Sequence, residues 1–112
     1  MWRYSSILLS SCLLGVGTLV AFAAEPMSSA DVMQRSRTFS PTEVSITVGN
    51  PLMIHNEDQF VHHLFVESSE FDFDSGEQRV GQTVEIKFPQ AGVYQVRCAI
   101  HPKMKLNVTV QK

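Results

Sequence analysis

The 112-residue sequence predicts one all-β domain, a sandwich or barrel of short antiparallel strands, behind an N-terminal export signal. Three observations lead there. Apolar and polar residues alternate with period two along most of the chain; Gly, Pro, Asn and Asp interrupt that alternation at short intervals; and the first two dozen residues differ in composition from everything after them.

Taken in order, MWRYSS carries Arg3, ILLSSCLLGVGTLVAFA carries no charge, and small residues precede Glu25 and Pro26. A basic start, an apolar centre and a small-residue exit are the parts of a secretory signal peptide, and Ala21 and Ala23 supply the A-x-A pair for cleavage after Ala23. The apolar run from Ile7 to Ala24 is short of the ~20 residues of a membrane-spanning helix. The expected organisation is a signal over residues 1–23, a leader over 24–31 and the folded domain over 32–112. A helical turn is expected near Ser28 to Met33. In EVSITV, Val44, Ile46 and Val48 alternate with polar residues, and Gly49-Asn50-Pro51 turns the chain into the strand LMIHN. The next segment, NEDQFVHHLFV, has apolar groups on both faces around His62 and His63, so its period does not say which histidine faces inward. Asp74-Ser75-Gly76 and Gly81 break the middle of the chain. TVEIKF places Val84, Ile86 and Phe88 on one face, Gln90-Ala91-Gly92 turns, VYQVRC aligns Tyr94, Val96 and Cys98, and KLNVTV closes with Leu106, Val108 and Val110.

Composition narrows the function. Nine Lys and Arg against eleven Asp and Glu leave a net charge of −2, or −3 once Arg3 departs with the signal. No basic stripe with interleaved aromatics is present, which excludes a nucleic-acid partner. The one marked charge run is acidic: Glu67, Glu70, Asp72, Asp74 and Glu77 in ESSEFDFDSGE, read first as a solvated loop and alternatively as a patch that steers a basic partner. Removal of the signal leaves about 89 residues, a size at which a small core gains from a disulfide or a metal. Cys12 leaves with the signal, so Cys98 stands as a single thiol in an oxidising compartment, where burial or a metal must protect it.

The residues just after Cys98 favour a metal. In CAIHPKM the thiolate of Cys98, the imidazole of His101 and the thioether of Met104 are separated by two residues each, on the connection between two predicted strands. Such a loop returns on itself and can bring all three around one point. Soft sulfur donors with imidazole select copper, and a His2Cys set with a distant Met is an electron-transfer copper arrangement. Zinc is the weaker candidate, because structural zinc takes four strong Cys and His ligands. One histidine is still needed from the start of a strand beside the Cys strand, and His55, His62 and His63 are the candidates.

With these residues the mature chain resembles a cupredoxin, a small type 1 blue copper protein, of the plastocyanin and amicyanin branch. The matching pattern runs through Phe39-x-Pro41-x-x-Val44-x-Ile46-x-Val48-Gly49, then Asn56 and His62, then Gly92-x-Tyr94-x-x-x-Cys98-x-x-His101-Pro102-x-Met104. The resemblance implies a Greek-key β-sandwich with copper near one end and the ligands His62, Cys98, His101 and Met104. It implies a periplasmic one-electron carrier cycling between Cu(I) and Cu(II), whose partners are redox proteins such as a c-type cytochrome or a periplasmic oxidoreductase, and whose electron leaves through the outer edge of His101. Phe60, Ile100 and Pro102 are candidates for an apolar rim there. A monomer is expected, without stable membrane insertion once the signal is cut. Copper oxidases and nitrite reductases need a second copper centre and more than one domain, so no enzymatic activity is expected. The rival readings are copper trafficking or storage and an accessory role to an oxidase. This sequence departs from the family at three places: His63 where Asn commonly follows the first ligand, Val61 where Pro often precedes it, and Leu106 where Gly is frequent.

Overall fold

In the computed structural model, which describes residues 12–19 and 29–112, nine strands form two sheets: β1 Ala30–Arg35, β2 Thr38–Ser40, β3 Glu43–Thr47, β4 Pro51–Asn56, β5 His62–Val66, β6 Phe73–Gln78, β7 Thr83–Lys87, β8 Gly92–Cys98 and β9 Lys105–Gln111. The expected cleavage point after Ala23 lies outside the described residues. Among the described residues no helix is long and apolar enough to cross a membrane.

One sheet has the order β2-β1-β4-β7 and the other β3-β9-β8-β5-β6. Each strand turns its apolar alternates into the space between them. Leu52 and Ile54 from β4, Leu64 and Val66 from β5, Val96 and Cys98 from β8, and Leu106 and Val108 from β9 are all buried. Removing such side chains from water stabilises a fold by roughly 1.5–3 kcal/mol each. The result is an all-β sandwich, as the alternation predicts.

Three local expectations are corrected. Ala30–Met33 belongs to β1, not to a helical turn, so strand pairing starts at Ala30, within the expected leader. Ala30, Val32 and Gln34 point inward with period two, and the polar Gln34 at a buried position obscures that period. The domain is also not wholly antiparallel: β1 pairs with β4 and β3 pairs with β9 in parallel. Parallel neighbours come from distant parts of a chain through crossover connections, so local patterning does not encode them. Finally, Asp74-Ser75-Gly76 lies inside β6. The register slips there, Gly76 adopts φ +65° and Leu64 donates its N–H to Ser75 Oγ at 2.9 Å, so a bulge absorbs what reads as a break.

The topology brings two predicted residues to the same end. His62 opens β5, Cys98 closes β8, and these antiparallel neighbours are paired at Leu64 opposite Cys98.

Candidate metal centre

Cys98 is buried, continuing the inward face of Tyr94 and Val96. His62 is buried on the inward face shared with Leu64 and Val66, and His63 therefore points the other way. The ambiguity in VHHLFV arises because Phe65 is apolar yet outward, lying beneath the guanidinium of Arg97 at 5.7 Å. From Cys98 the chain leaves the sheet. Ala99 N–H returns to His63 C=O at 2.8 Å, and Met104 N–H donates to His101 C=O at 3.0 Å, closing the loop before β9 begins. That short turn brings His101 back over Cys98.

Three donor atoms now converge. Cys98 Sγ lies 3.6 Å from His62 Nδ1 and 3.9 Å from His101 Nδ1, and the two nitrogens are 3.2 Å apart. Met104 is buried directly after the loop. His55, the third histidine candidate, is elsewhere: on β4 it meets Thr83 Oγ1 and Asp31 Oδ1, each at 2.8 Å. Among the described residues His62, Cys98 and His101 form a group of metal-capable side chains whose ligand atoms lie within 4.8 Å of one another.

The second nitrogen of His62 explains its orientation. Nε2 is 3.1 Å from Oδ2 of Asp58, a carboxylate whose side chain is 4 % exposed and which also accepts the N–H groups of Arg37 at 2.7 Å and Gln59 at 2.9 Å. Burial by itself opposes ionisation of Asp58, but the Arg37 and Gln59 N–H groups and His62 outweigh it and hold the carboxyl below its ordinary value. Burial lowers the pKa of His62; Asp58 works in the opposite direction and the nearby His101 adds to the lowering, with a net downward result. At neutral pH His62 is thus a neutral ring with Nε2–H on Asp58 and the Nδ1 lone pair aimed at Cys98 and His101. Asn56 builds the loop that delivers Asp58, accepting Asp58 N–H at 3.0 Å and donating to Phe60 C=O at 2.8 Å.

A profile of copper binding proteins of the plastocyanin/azurin family matches residues 27–111. The chain belongs to that family. No curated protein matches it. Among solved structures it is similar to a purple cupredoxin from Nitrosopumilus maritimus, at 24 % identity over 73 % of this chain and 99 % of that one, with a TM-score of 0.66. A copper-containing nitrite reductase from Thermus scotoductus SA-01 aligns at 26 % identity and TM-score 0.68, over 84 % of this chain and only 25 % of that one. A reduced amicyanin variant aligns at 20 % identity and TM-score 0.69, over 75 % of this chain and 83 % of that one.

The donor triangle of this cupredoxin fits its metal. A point equidistant from the three donor atoms lies about 2.1 Å from each, within the bond lengths of first-row ions to imidazole and thiolate, about 2.0–2.3 Å. Two imidazole nitrogens and a sulfur facing one point make a three-donor set for a cation, and the thiolate selects copper among the candidates.

Two contributors are not evident from the sequence. Asp58 reads as one more polar residue of a turn, although an acidic residue four positions before a ligand histidine was the available signal. Arg37 carried no signal: its place beside His101 depends on the β1–β2 turn.

Proposed function

We propose that the protein is a periplasmic one-electron carrier and not an enzyme, with copper held by His62, Cys98, His101 and Met104. The observation that carries this reading is the convergence of His62 Nδ1, Cys98 Sγ and His101 Nδ1 on one point at the end of a sandwich. Bound copper supplies a Cu(I)/Cu(II) couple. The chain supplies everything that makes the couple fast and reversible. Paired strands fix His62 and Cys98, the Asp58 carboxylate fixes the His62 ring, and His63 N–H donates to Cys98 Sγ at 3.4 Å, drawing charge from the sulfur. Met104, buried beside the loop, is assigned the distant fourth position by its place in the motif. A donor set held this firmly changes little on gaining an electron, so the reorganisation barrier is small.

His101 is half-buried and borders solvent beside Phe60 and Ile100, which are 42 % and 50 % exposed. This end is the electron port, and its occupants are redox proteins such as a c-type cytochrome. The signal-like composition of the N-terminal segment supports the periplasmic part of this reading.

Addition of one equivalent of Cu(II) to the purified protein tests the reading. An intense visible thiolate-to-copper band that bleaches and returns with one electron is expected. A colourless protein with stoichiometric copper overturns it, and preferential retention of zinc replaces it with a structural site.

A further inference from the structure

We infer that the face around His101 recognises a redox protein whose electron-exchanging group is rimmed by carboxylates, with Arg37 and Lys103 as the recognising cations. This rests on the carrier reading and adds the sign of the partner. The hollow beside His101 is lined by Arg37, Ile100, Pro102 and Lys103. Lys103 comes with the ligand loop, whereas Arg37 reaches the same hollow from the turn between β1 and β2.

Arg37 is held there. Its N–H is fixed to Asp58 at 2.7 Å, its backbone sits at φ +57°, and its guanidinium lies 5.0 Å from the centroid of the Phe60 ring. Phe60 in turn meets His101 edge-on, with ring centroids 5.9 Å apart. A cation stacked on an aromatic ring loses less freedom when a carboxylate arrives than a free surface side chain does. Arg35 forms an ion pair with Glu57, while among the described residues neither Arg37 nor Lys103 forms one.

The acidic residues are set apart. Glu67, Asp72 and Asp74 line a different groove, with His63, Phe65 and Ala99, and Asp74 is already bonded to His63 and to Gly76 N–H. The net charge, −2 for the full sequence and −3 without Arg3, attracts a basic protein at long range. Within a screening length of ~10 Å at 0.1 M salt, the exposed charges lining the hollow decide, and these are positive, because the nearby Asp58 carboxylate is buried and already bonded to Arg37, Gln59 and His62. Carboxylates of a partner therefore meet Arg37 and Lys103 while Phe60, Ile100 and Pro102 exclude water. One electron crosses per encounter, the copper site and the partner changing by one oxidation unit in opposite senses, with no bond made or broken and no proton moved.

Two measurements test this. In metal-free protein, the paramagnetic anion hexacyanochromate(III) should broaden the amide resonances of Arg37, Ile100, His101 and Lys103 first, and Arg37→Asn with Lys103→Gln should remove that selectivity. Broadening centred elsewhere, or unchanged in the variant, overturns the proposal. In copper-loaded protein at 0.1 M salt, electron exchange is compared between a lysine-rimmed c-type cytochrome and the same cytochrome with its lysines succinylated. The succinylated form should react about three- to tenfold faster, as expected for two surface ion pairs, and the gap should close in the variant and at 1 M salt. Lys103→Gln alone, on an exposed loop, should give part of the effect even if the β1–β2 turn does not tolerate Asn at position 37. A faster reaction with the lysine-rimmed form overturns this proposal and leaves the carrier reading standing; no exchange with either form overturns both.

Discussion

Replacement of Asp58 should separate what holds the fold from what tunes the metal. Asp58→Ala leaves three N–H donors without their acceptor, those of Arg37, Gln59 and His62, in a place where the residue is only 6 % exposed. Hydrogen bonds to a charged group contribute about 1.5–3 kcal/mol each, but water entering the vacated space restores part of that, so the expected loss is about 2–4 kcal/mol. In a domain of this size each kcal/mol moves Tm by about 4–8 °C, giving a drop of about 8–32 °C in the metal-free protein. Asp58→Asn keeps the shape and loses one acceptor, so about 1–2 kcal/mol is expected.

The charge has a second effect. With Nε2 of His62 3.1 Å from the carboxylate and Nδ1 facing the site, the donor centre lies roughly 7 Å from Asp58, where a unit charge at an effective dielectric constant of about 20 is worth roughly 2 kcal/mol. The anion favours Cu(II) over Cu(I). Its removal should therefore raise the reduction potential, by about 50–100 mV, in both variants. Thermal unfolding followed by circular dichroism gives the first quantity and spectroelectrochemical titration the second. A purely structural Asp58 would lower Tm and leave the potential unchanged, and that result would refute the reasoning.

Three further outcomes are expected. Cys98→Ser should abolish the visible band, because an alkoxide makes no comparable charge-transfer bond; a variant that stays coloured would place the chromophore elsewhere. His62→Gly should open the site to added imidazole, which restores the colour, while His63→Asn should stay coloured, since the His63 side chain faces Asp74 at 2.5 Å and away from the donors; copper loss confined to the His63 variant would reverse the assignment. Metal-free protein should lose stability on acidification. The lowered pKa of His62 means that the unfolded chain takes up protons first below about pH 6.5, and the lowered pKa of Asp58 adds a loss as pH falls through and below 3.8, so chemical denaturation at pH 7, 5 and 3.5 should show a stepwise decline. A flat profile would sink both attributions.

Much of the fold and of the donor set was legible in residues whose surroundings are simple. TVEIKF, VYQVRC and KLNVTV alternate because one face of each strand is buried, and the structure places Ile86, Phe88, Val96, Leu106 and Val108 inside accordingly. Within CAIHPKM the approach of Cys98 to His101 was legible because the loop is short enough for spacing to imply proximity. Where a residue's role is set by a distant segment, the sequence is silent. Asp58 matters only because Arg37 and His62 are folded against it, and Arg37 matters only because the β1–β2 turn ends beside Phe60. Gln34, polar but fully buried, hid the strand it belongs to.

The departure at His63 shows how the backbone can keep a link that the family commonly makes with an Asn side chain at this place. His63 N–H donates to Cys98 Sγ at 3.4 Å and its C=O accepts Ala99 N–H at 2.8 Å, so the two segments that carry His62 and Cys98 are tied by main-chain atoms whatever side chain stands between them. The side chain is then free for the outer surface, where it meets Asp74, a carboxylate whose pKa is lowered by the Gly76 N–H and by His63. That contact joins β5 to the bulged part of β6, next to the position where Leu64 N–H turns to Ser75 Oγ instead of a ladder carbonyl. The substitution and the bulge thus belong together: a strand whose ladder is interrupted beside the metal centre gains a side-chain link across the interruption. His63→Asn should consequently leave the donor triangle in place and loosen β6, which hydrogen exchange of the Ser75 to Glu77 amides would register as faster exchange with an unchanged visible band.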